Sequence, residues 1–251
     1  MLLAHTPSPY AFQVDVDTTV VVPVLLLLYL YAFGRLGAPR WRVACFGGSM
    51  ALLGVAFWTP LHELGLHYLL TAHLLQNVIL AEWAPLLAVL GVSAPLAARL
   101  ARVRGFRLVT QPAFALPVWL GNYFAWHFPP IYDAALDNQA WLIHVEHACY
   151  FGTGILVWWP LLQDVPRRLA SGARAAYAFA SFVLAAPLGL LLALLPAPAY
   201  AFYVHAPRLW GLSPLTDQQI AGVTMASEQA VVLFIVFAYW FRRFLAEEGA
   251  I

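Results

Sequence analysis

The chain contains no lysine, and all 13 of its basic residues are arginine. Without a lysine amine no retinal Schiff base can form, so a seven-helix retinal protein is excluded. Charged residues make up only 10% of the 251 residues, which is too few for the surface of an ordinary water-soluble domain. The net charge of +1 gives no indication of a nucleic-acid partner.

The motifs of common enzyme classes are also missing. The chain shows no nucleophile motif, no glycine-rich phosphate loop and no HExxH metalloprotease pattern. Only two cysteines are present, Cys45 and Cys149. We place them at different depths of a membrane and expect free thiols that pack as small apolar groups. These absences favour a protein that is not an enzyme.

Long apolar runs dominate the chain. Apolar residues reach 63% and the mean hydropathy is +0.76, and a membrane-crossing helix needs roughly 20 mostly apolar residues. The sequence predicts an all-α polytopic bundle, a single membrane domain over residues 1–251. Its seven predicted spans are Thr18–Phe33, Val43–Trp58, Leu66–Gly91, Ala113–Phe128, Trp141–Leu162, Ala175–Leu195 and Gln219–Phe241.

The arginines occur in every second loop between these spans. Twelve of them follow spans one, three, five and seven, whereas the loops after spans two and four have none and the loop after span six has only Arg208. Basic loops stay in the cytoplasm. The pattern therefore predicts an amino terminus outside and a carboxyl terminus in the cytoplasm, with residues 1–20 forming an external segment before the first span.

The eight histidines all fall at or near the predicted outer side. His73 lies about two turns into span three, His127 ends span four, and His144 and His147 lie in the first turns of span five. The last two are three residues apart and therefore share one helix face. Because neutral imidazole is a good ligand for copper, zinc and iron, these four histidines are a candidate transition-metal site.

Several carboxyl groups accompany the histidines. Glu146 and Asp133 are candidates to orient an imidazole through its other N–H. Glu82 and Glu228 lie deeper, where a charge costs at least about 2.5–3.5 kcal/mol. Each of these two is therefore either part of a proton or cation path or a neutral carboxyl group hydrogen-bonded between helices, and the sequence leaves both open.

An ordered set of short motifs resembles the seven-helix CtaG-like cytochrome c oxidase assembly proteins. The motifs extend from about Thr59 to Gly222, and together they are far more specific than any one alone. They are Thr59-Pro60-Leu61, His67–Gln76, Ala84–Leu87, Trp126–Pro129, Ile131–Leu136, His144–His147, Trp158–Leu161 and Asp217–Gly222.

The resemblance implies a role in maturing a haem-copper oxidase at the bacterial plasma membrane. It implies copper as a transient cargo, an oxidase subunit as partner, and His73, His127, His144 and His147 as ligands. Asp217 belongs to the last motif and is a further candidate for a supporting polar group. This chain departs from the family in having Asn77 where a second histidine is usual, and in carrying Glu82 and Glu228.

Two other functions remain open from the residues. Paired helix histidines can be axial ligands of a b-type haem, which would make the chain a redox protein. Alternatively, Glu82 and Glu228 could belong to a proton-coupled transporter. A Soret band would indicate haem, and flux that depends on pH would indicate transport.

Overall fold

Helices make up 79% of the chain in the computed structural model, which describes residues 7–12 and 16–249. Within those ranges there is no strand, so the predicted all-α class is confirmed. The elements in chain order are α1 (Val16–Leu36), α2 (Arg40–Trp58), α3 (Pro60–His67), α4 (Leu70–Val78), a π-helix (Ile79–Trp83), α5 (Ala84–Gly91), α6 (Ala94–Leu100), α7 (Arg104–Val109), α8 (Pro112–Trp126), α9 (Pro129–Asp137), α10 (Leu142–Leu162), α11 (Ser171–Leu194), α12 (Ala201–His205) and α13 (Pro214–Glu247).

Within the residues that the structure describes, five stretches of helix are long and apolar enough to cross a membrane. They correspond to the predicted spans one, two, three, six and seven. The stretches are Thr18–Leu36, Arg40–Trp58, Leu70–Gly91, Ser171–Leu194 and Pro214–Glu247. The third is the most enclosed, with 72% of its most apolar window buried inside the protein, so it forms the centre of the bundle.

The other two predicted spans are also helical but do not meet the same criteria. α8 has only 15 residues, and α10 has 21 residues but carries His144, Glu146 and His147 in its first two turns. These polar side chains lower the hydropathy of α10. The count of seven spans and the orientation of the termini therefore stay predictions.

A π-helix interrupts the third span, and Pro85 lies two residues after the end of this π-helix. Proline has no backbone N–H, so the carbonyl of Ala81, four residues earlier, loses its usual partner. Gly154 of α10 packs against that carbonyl so closely that an added Cβ would lie 2.3 Å from its oxygen. The lack of a side chain at Gly154 thus lets α10 and the third span meet next to Glu82.

Buried arginines cap helix ends at the side of the bundle opposite the histidines. Arg42 donates hydrogen bonds to the carbonyls of Leu90 and Val92, at the end of α5. Arg174 donates to the carbonyls of Leu161 and Gln163, at the end of α10. A guanidinium is well placed there because terminal helix carbonyls lack partners and carry partial negative charge.

Two further predictions concern residues outside the bundle core. Cys45 and Cys149 are both free thiols, as predicted. The predicted external segment lies partly outside the described residues, because 1–6 and 13–15 are not among them. Tyr68 nevertheless donates a 2.5 Å hydrogen bond to the carbonyl of Pro7, which ties the described part of this segment to the start of α4.

Candidate metal centre

His73 is held in place by a carboxylate at the start of its helix. Asp217 of α13 accepts hydrogen bonds from the backbone N–H of Leu70, at 2.8 Å, and of Thr71, at 3.0 Å. It also accepts one from the hydroxyl of Thr71, at 2.7 Å. A carboxylate satisfies the free N–H groups at a helix start and is stabilised by the helix dipole. Asp217 thereby fixes α4, and His73 with it, against α13.

Hydrogen bonds assign the tautomer of the fully buried His73 ring. The hydroxyl of Tyr203 donates to the carbonyl of Gly65 at 2.6 Å, so its oxygen is left to accept. His73 Nδ1 lies 3.0 Å from that oxygen and 3.1 Å from the hydroxyl oxygen of Tyr132, and the contact with Tyr203 favours a proton on Nδ1. The lone pair of His73 is then on Nε2, which has no hydrogen-bond partner. Nε2 is the atom through which His73 could bind a metal ion.

Glu146 and Asn77 lie beside this lone pair. Glu146 Oε1 is 3.8 Å from His73 Nε2 and accepts a 3.0 Å hydrogen bond from Asn77 Nδ2. Glu146 therefore lies beside the His73 ring, but it faces the unpaired Nε2 and not an N–H group as predicted. The amide of Asn77, where the resemblance implies a histidine, holds this carboxyl group next to the site.

His147 is the second imidazole of the cluster. Its ring centre lies 6.1 Å from that of His73, and neither of its nitrogens has a hydrogen-bond partner. Leaving a buried polar atom unpaired costs about 1–3 kcal/mol. Each neutral imidazole has one lone pair, so the two buried, adjacent rings offer two nitrogen donors that a soft or borderline cation would satisfy.

The spacing of the two rings fits one shared ion. With a metal–nitrogen bond of about 2.0 Å, each ring centre stands about 3 Å from the ion, so two rings on one ion lie at most about 6 Å apart. The ring centres of His73 and His147 lie at this limit, so an ion shared by the two rings would require nearly linear two-coordination. Among the residues described, no group of three or more His, Cys, Asp or Glu side chains is arranged to hold a metal ion.

His62, which is not among the ligands predicted from the sequence, is a third buried imidazole of the cluster. Its ring centre is 6.3 Å from that of His147, and its Nδ1 lies 3.0 Å from Gln76 Nε2. The same Gln76 nitrogen donates to the carbonyl of Ala56, which identifies it as the amide NH₂ group. His62 Nδ1 therefore accepts and its proton lies on Nε2, so this tautomer packs beside the site without offering a lone pair to it.

His127 lies one aromatic ring away from the cluster. Tyr132 separates it from His73, with ring centres 6.0 Å from His127 and 5.3 Å from His73. His127 Nδ1 donates to the carbonyl of Tyr123 at 2.8 Å, which leaves the Nε2 lone pair buried without a partner. The structure thus gives His127 a suitable tautomer but does not bring its ring against His73 or His147.

His144 lies at the edge of the bundle. With His147 it lines an apolar groove of about 600 Å³, whose other walls come from α1, α2 and the third span. His144 is only partly buried. Of the four histidines predicted from the sequence, His73 and His147 form the cluster, His127 stands behind Tyr132, and His144 lies on the groove beside it.

Asp133 supports the site from a distance. It does not contact an imidazole; its two oxygens accept the backbone N–H groups of Ala201 and Phe202, each at 3.1 Å. Those residues begin α12, the short helix that carries Tyr203. Asp133 therefore holds the helix whose tyrosine fixes the tautomer of His73.

Glu63 and His67 form a pair on α3 beside the cluster. Their side chains lie 3.5 Å apart. Burial raises the pKa of Glu63 because it penalises the charged form of the carboxyl group.

Glu82 and Glu228 meet deeper in the bundle, near neither imidazole. Gln229 Nε2 donates to Glu82 Oε1 and to the hydroxyl of Tyr123, each at 2.9 Å, while the indole N–H of Trp83 donates to Glu228 Oε1. The two carboxyl groups that the sequence could not assign thus belong to one polar cluster between the third span and α13.

Comparison with known proteins shows a match to a family model. Neither the curated proteins nor the solved structures contain a protein that matches this chain. The model of the cytochrome c oxidase caa3 assembly factors (Caa3_CtaG) matches residues 27–247, which is most of the chain and includes every residue of the site. The predicted resemblance is confirmed: this chain belongs to the cytochrome c oxidase caa3 assembly factor family.

Proposed function

We propose that this assembly factor holds one copper ion between His73 and His147 and delivers it to a subunit of the oxidase. The observation that carries the proposal is the pair of adjacent, buried imidazoles with unpaired nitrogens, 6.1 Å apart between ring centres. A protein that passes an ion on needs a site that leaves coordination positions open to the acceptor. Two imidazoles provide such a site.

Cuprous copper suits this pair better than zinc. Zinc in proteins is almost always four-coordinate, whereas a monovalent, polarisable cuprous ion is well served by two imidazoles in line. Glu146 stands 3.8 Å from His73 Nε2 and would offset the positive charge if it ionised as copper binds. Copper here is cargo rather than a resident cofactor, and the chain itself catalyses no reaction.

The groove beside His147 supplies a route for the ion. His144 and His147 both line it, three residues apart on α10. We place the groove at the outer face of the bacterial plasma membrane, because the arginine-rich loops lie on the opposite side. An oxidase subunit docked over this groove would meet the ion at His144.

The delivery step is tested by producing the His147→Ala variant, in place of the wild-type chain, in the bacterium that makes the oxidase. We expect the copper content of the oxidase purified from such cells to fall by about tenfold or more. The reason is that loss of even a supporting residue lowers the metal affinity of a site by about 10–100-fold. Haem content should be unchanged, because the proposed cargo is copper alone. Metal analysis and the visible spectrum of the purified oxidase measure both quantities.

The matched control is His205→Ala. His205 is exposed and its Nδ1 bonds to the carbonyl of Ala201, within its own helix. Cells with this variant should make an oxidase with full copper. A normal copper content in the His147→Ala cells would contradict the proposal, as would a haem deficit equal to the copper deficit.

A further inference from the structure

We propose that Glu82 and Glu228 form a proton-binding site in the middle of the membrane, where the two carboxyl groups share one exchangeable proton. The sequence left each of these residues open between a neutral structural group and a member of a cation path. The site is separate from the imidazole pair, and the proposal does not depend on copper binding.

The crossed hydrogen bonds around the two carboxyl groups are the first observation. Gln229, next to Glu228 in the chain, donates to Glu82 Oε1, and Trp83, next to Glu82, donates to Glu228 Oε1. The second oxygen of each group, Oε2, is buried and has no hydrogen-bond partner. Two carboxylate oxygens both accept, so a hydrogen bond between these groups requires a proton on one of them.

The neighbouring groups support one negative charge and not two. Glu82 receives one hydrogen bond from the amide of Gln229, and Glu228 receives one from the indole of Trp83. Both donors are neutral. The hydroxyl of Tyr123, which shares the Gln229 amide with Glu82, is uncharged at neutral pH as well. Two neighbouring buried carboxyl groups with only neutral donors do not both ionise, so the pair retains a proton.

The depth of the pair makes this proton necessary. Glu228 is 14 residues from Pro214, which begins α13, and 14 residues from Arg242, so it lies about 21 Å along the helix from each. Glu82 is 2% exposed, while Glu228 is partly exposed at the perimeter of the bundle. A doubly ionised pair at this depth would be strongly disfavoured in a lipid bilayer.

The backbone and the polar groups around the pair indicate exchange rather than a fixed structural proton. Glu82 and Trp83 lie in the π-helix, an irregularity that is frequent at functional sites. Gln229 connects Glu82 to the hydroxyl of Tyr123, and the carbonyl of Tyr123 accepts from His127. Gln229 Oε1 is a buried acceptor without a partner. Polar groups therefore continue from the pair towards the histidines.

Infrared spectroscopy of the purified protein in lipid vesicles, without added copper, tests the proposal. We compare the spectrum of the wild type with that of a Glu82→Gln, Glu228→Gln double variant. At neutral pH we expect the difference spectrum to show the carbonyl band of one protonated carboxyl group per chain. Contributions from other buried acids such as Glu146 cancel in this difference. The matched control is Glu247→Gln, an exposed carboxyl paired with Arg243 at 3.0 Å, which should give no such band.

A second measurement on the wild type needs no variant. On transfer to heavy water the band should shift, because an exchangeable proton is replaced by deuterium. Four results would overturn the proposal: no band in the difference, a band of two carboxyl groups, no shift in heavy water, or a band that appears only after a chelator is added. The last would identify the pair as a site for a hard metal cation instead.

Discussion

A His147→Ala chain is expected to bind cuprous copper at least about a hundredfold more weakly than the wild type. With two imidazoles as the only strong ligands, losing one leaves a single-ligand site, and even indirect changes at metal sites cost 10–100-fold. His73→Ala should have an effect of similar size, since His73 Nε2 is the other unpaired donor. Competition with a chromophoric cuprous chelator under reducing conditions measures the affinity.

The variants of the outlying histidines make the prediction specific to this pair. His127→Ala should change the affinity much less, because Tyr132 stands between His127 and the cluster. His205→Ala should leave it unchanged. If His127→Ala weakened binding as much as His147→Ala, the ion would have to be held on the far side of Tyr132, and the two-imidazole site would be wrong.

Asp217→Asn is expected to destabilise the protein by about 2–4 kcal/mol, the largest effect on stability that we predict. The carboxylate accepts from two backbone N–H groups and one hydroxyl at the start of α4. Asparagine has the same shape, but one acceptor oxygen becomes an NH₂ group facing these donors. The midpoint of thermal unfolding in detergent should fall accordingly.

The control for this substitution is Asp137→Asn. Asp137 is exposed at the end of α9, so the same chemical change should alter the midpoint little. Equal stability of the two variants would show that Asp217 is not the anchor of α4. Added copper should partly restore the midpoint of Asp217→Asn, since an ion that binds only the folded protein stabilises it.

The helical fold was predictable because apolar runs and arginine-rich loops report directly on the lipid environment. The five confirmed helices that could cross a membrane are all strongly apolar. The prediction was weakest for α8 and α10, where length is short or polar residues enter the first turns. Glu146 and His147 lower the hydropathy of α10, and the same two residues form part of the site.

The candidate site was predictable only in part, because depth and helix periodicity do not report which side chains meet. His73 and His147 were found from their depth and spacing. His62 was missed because it lies on α3, a short helix folded back beside α4, and no periodic pattern places it there. The capping roles of Asp133 and Asp217 depend on helices 68 and 147 residues away in the chain, a separation that no local pattern reveals.

The pairing of Glu82 with Glu228 shows the same limit. Each residue could be recognised alone as an expensive polar group within a span. The reciprocal hydrogen bonds that place the two residues side by side require the third span and α13 to pack together, with Glu82 in the π-helix. Only the tertiary structure therefore converts two unusual carboxyl groups into one chemical unit.

X-ray absorption spectroscopy of the reduced, copper-loaded protein tests the central claim most directly. The account predicts one copper per chain with two imidazole nitrogens at about 2 Å, and loss of one of them in the His147→Ala variant. A spectrum without imidazole scattering, or one that is identical in wild type and His147→Ala, would show that the copper does not lie between His73 and His147.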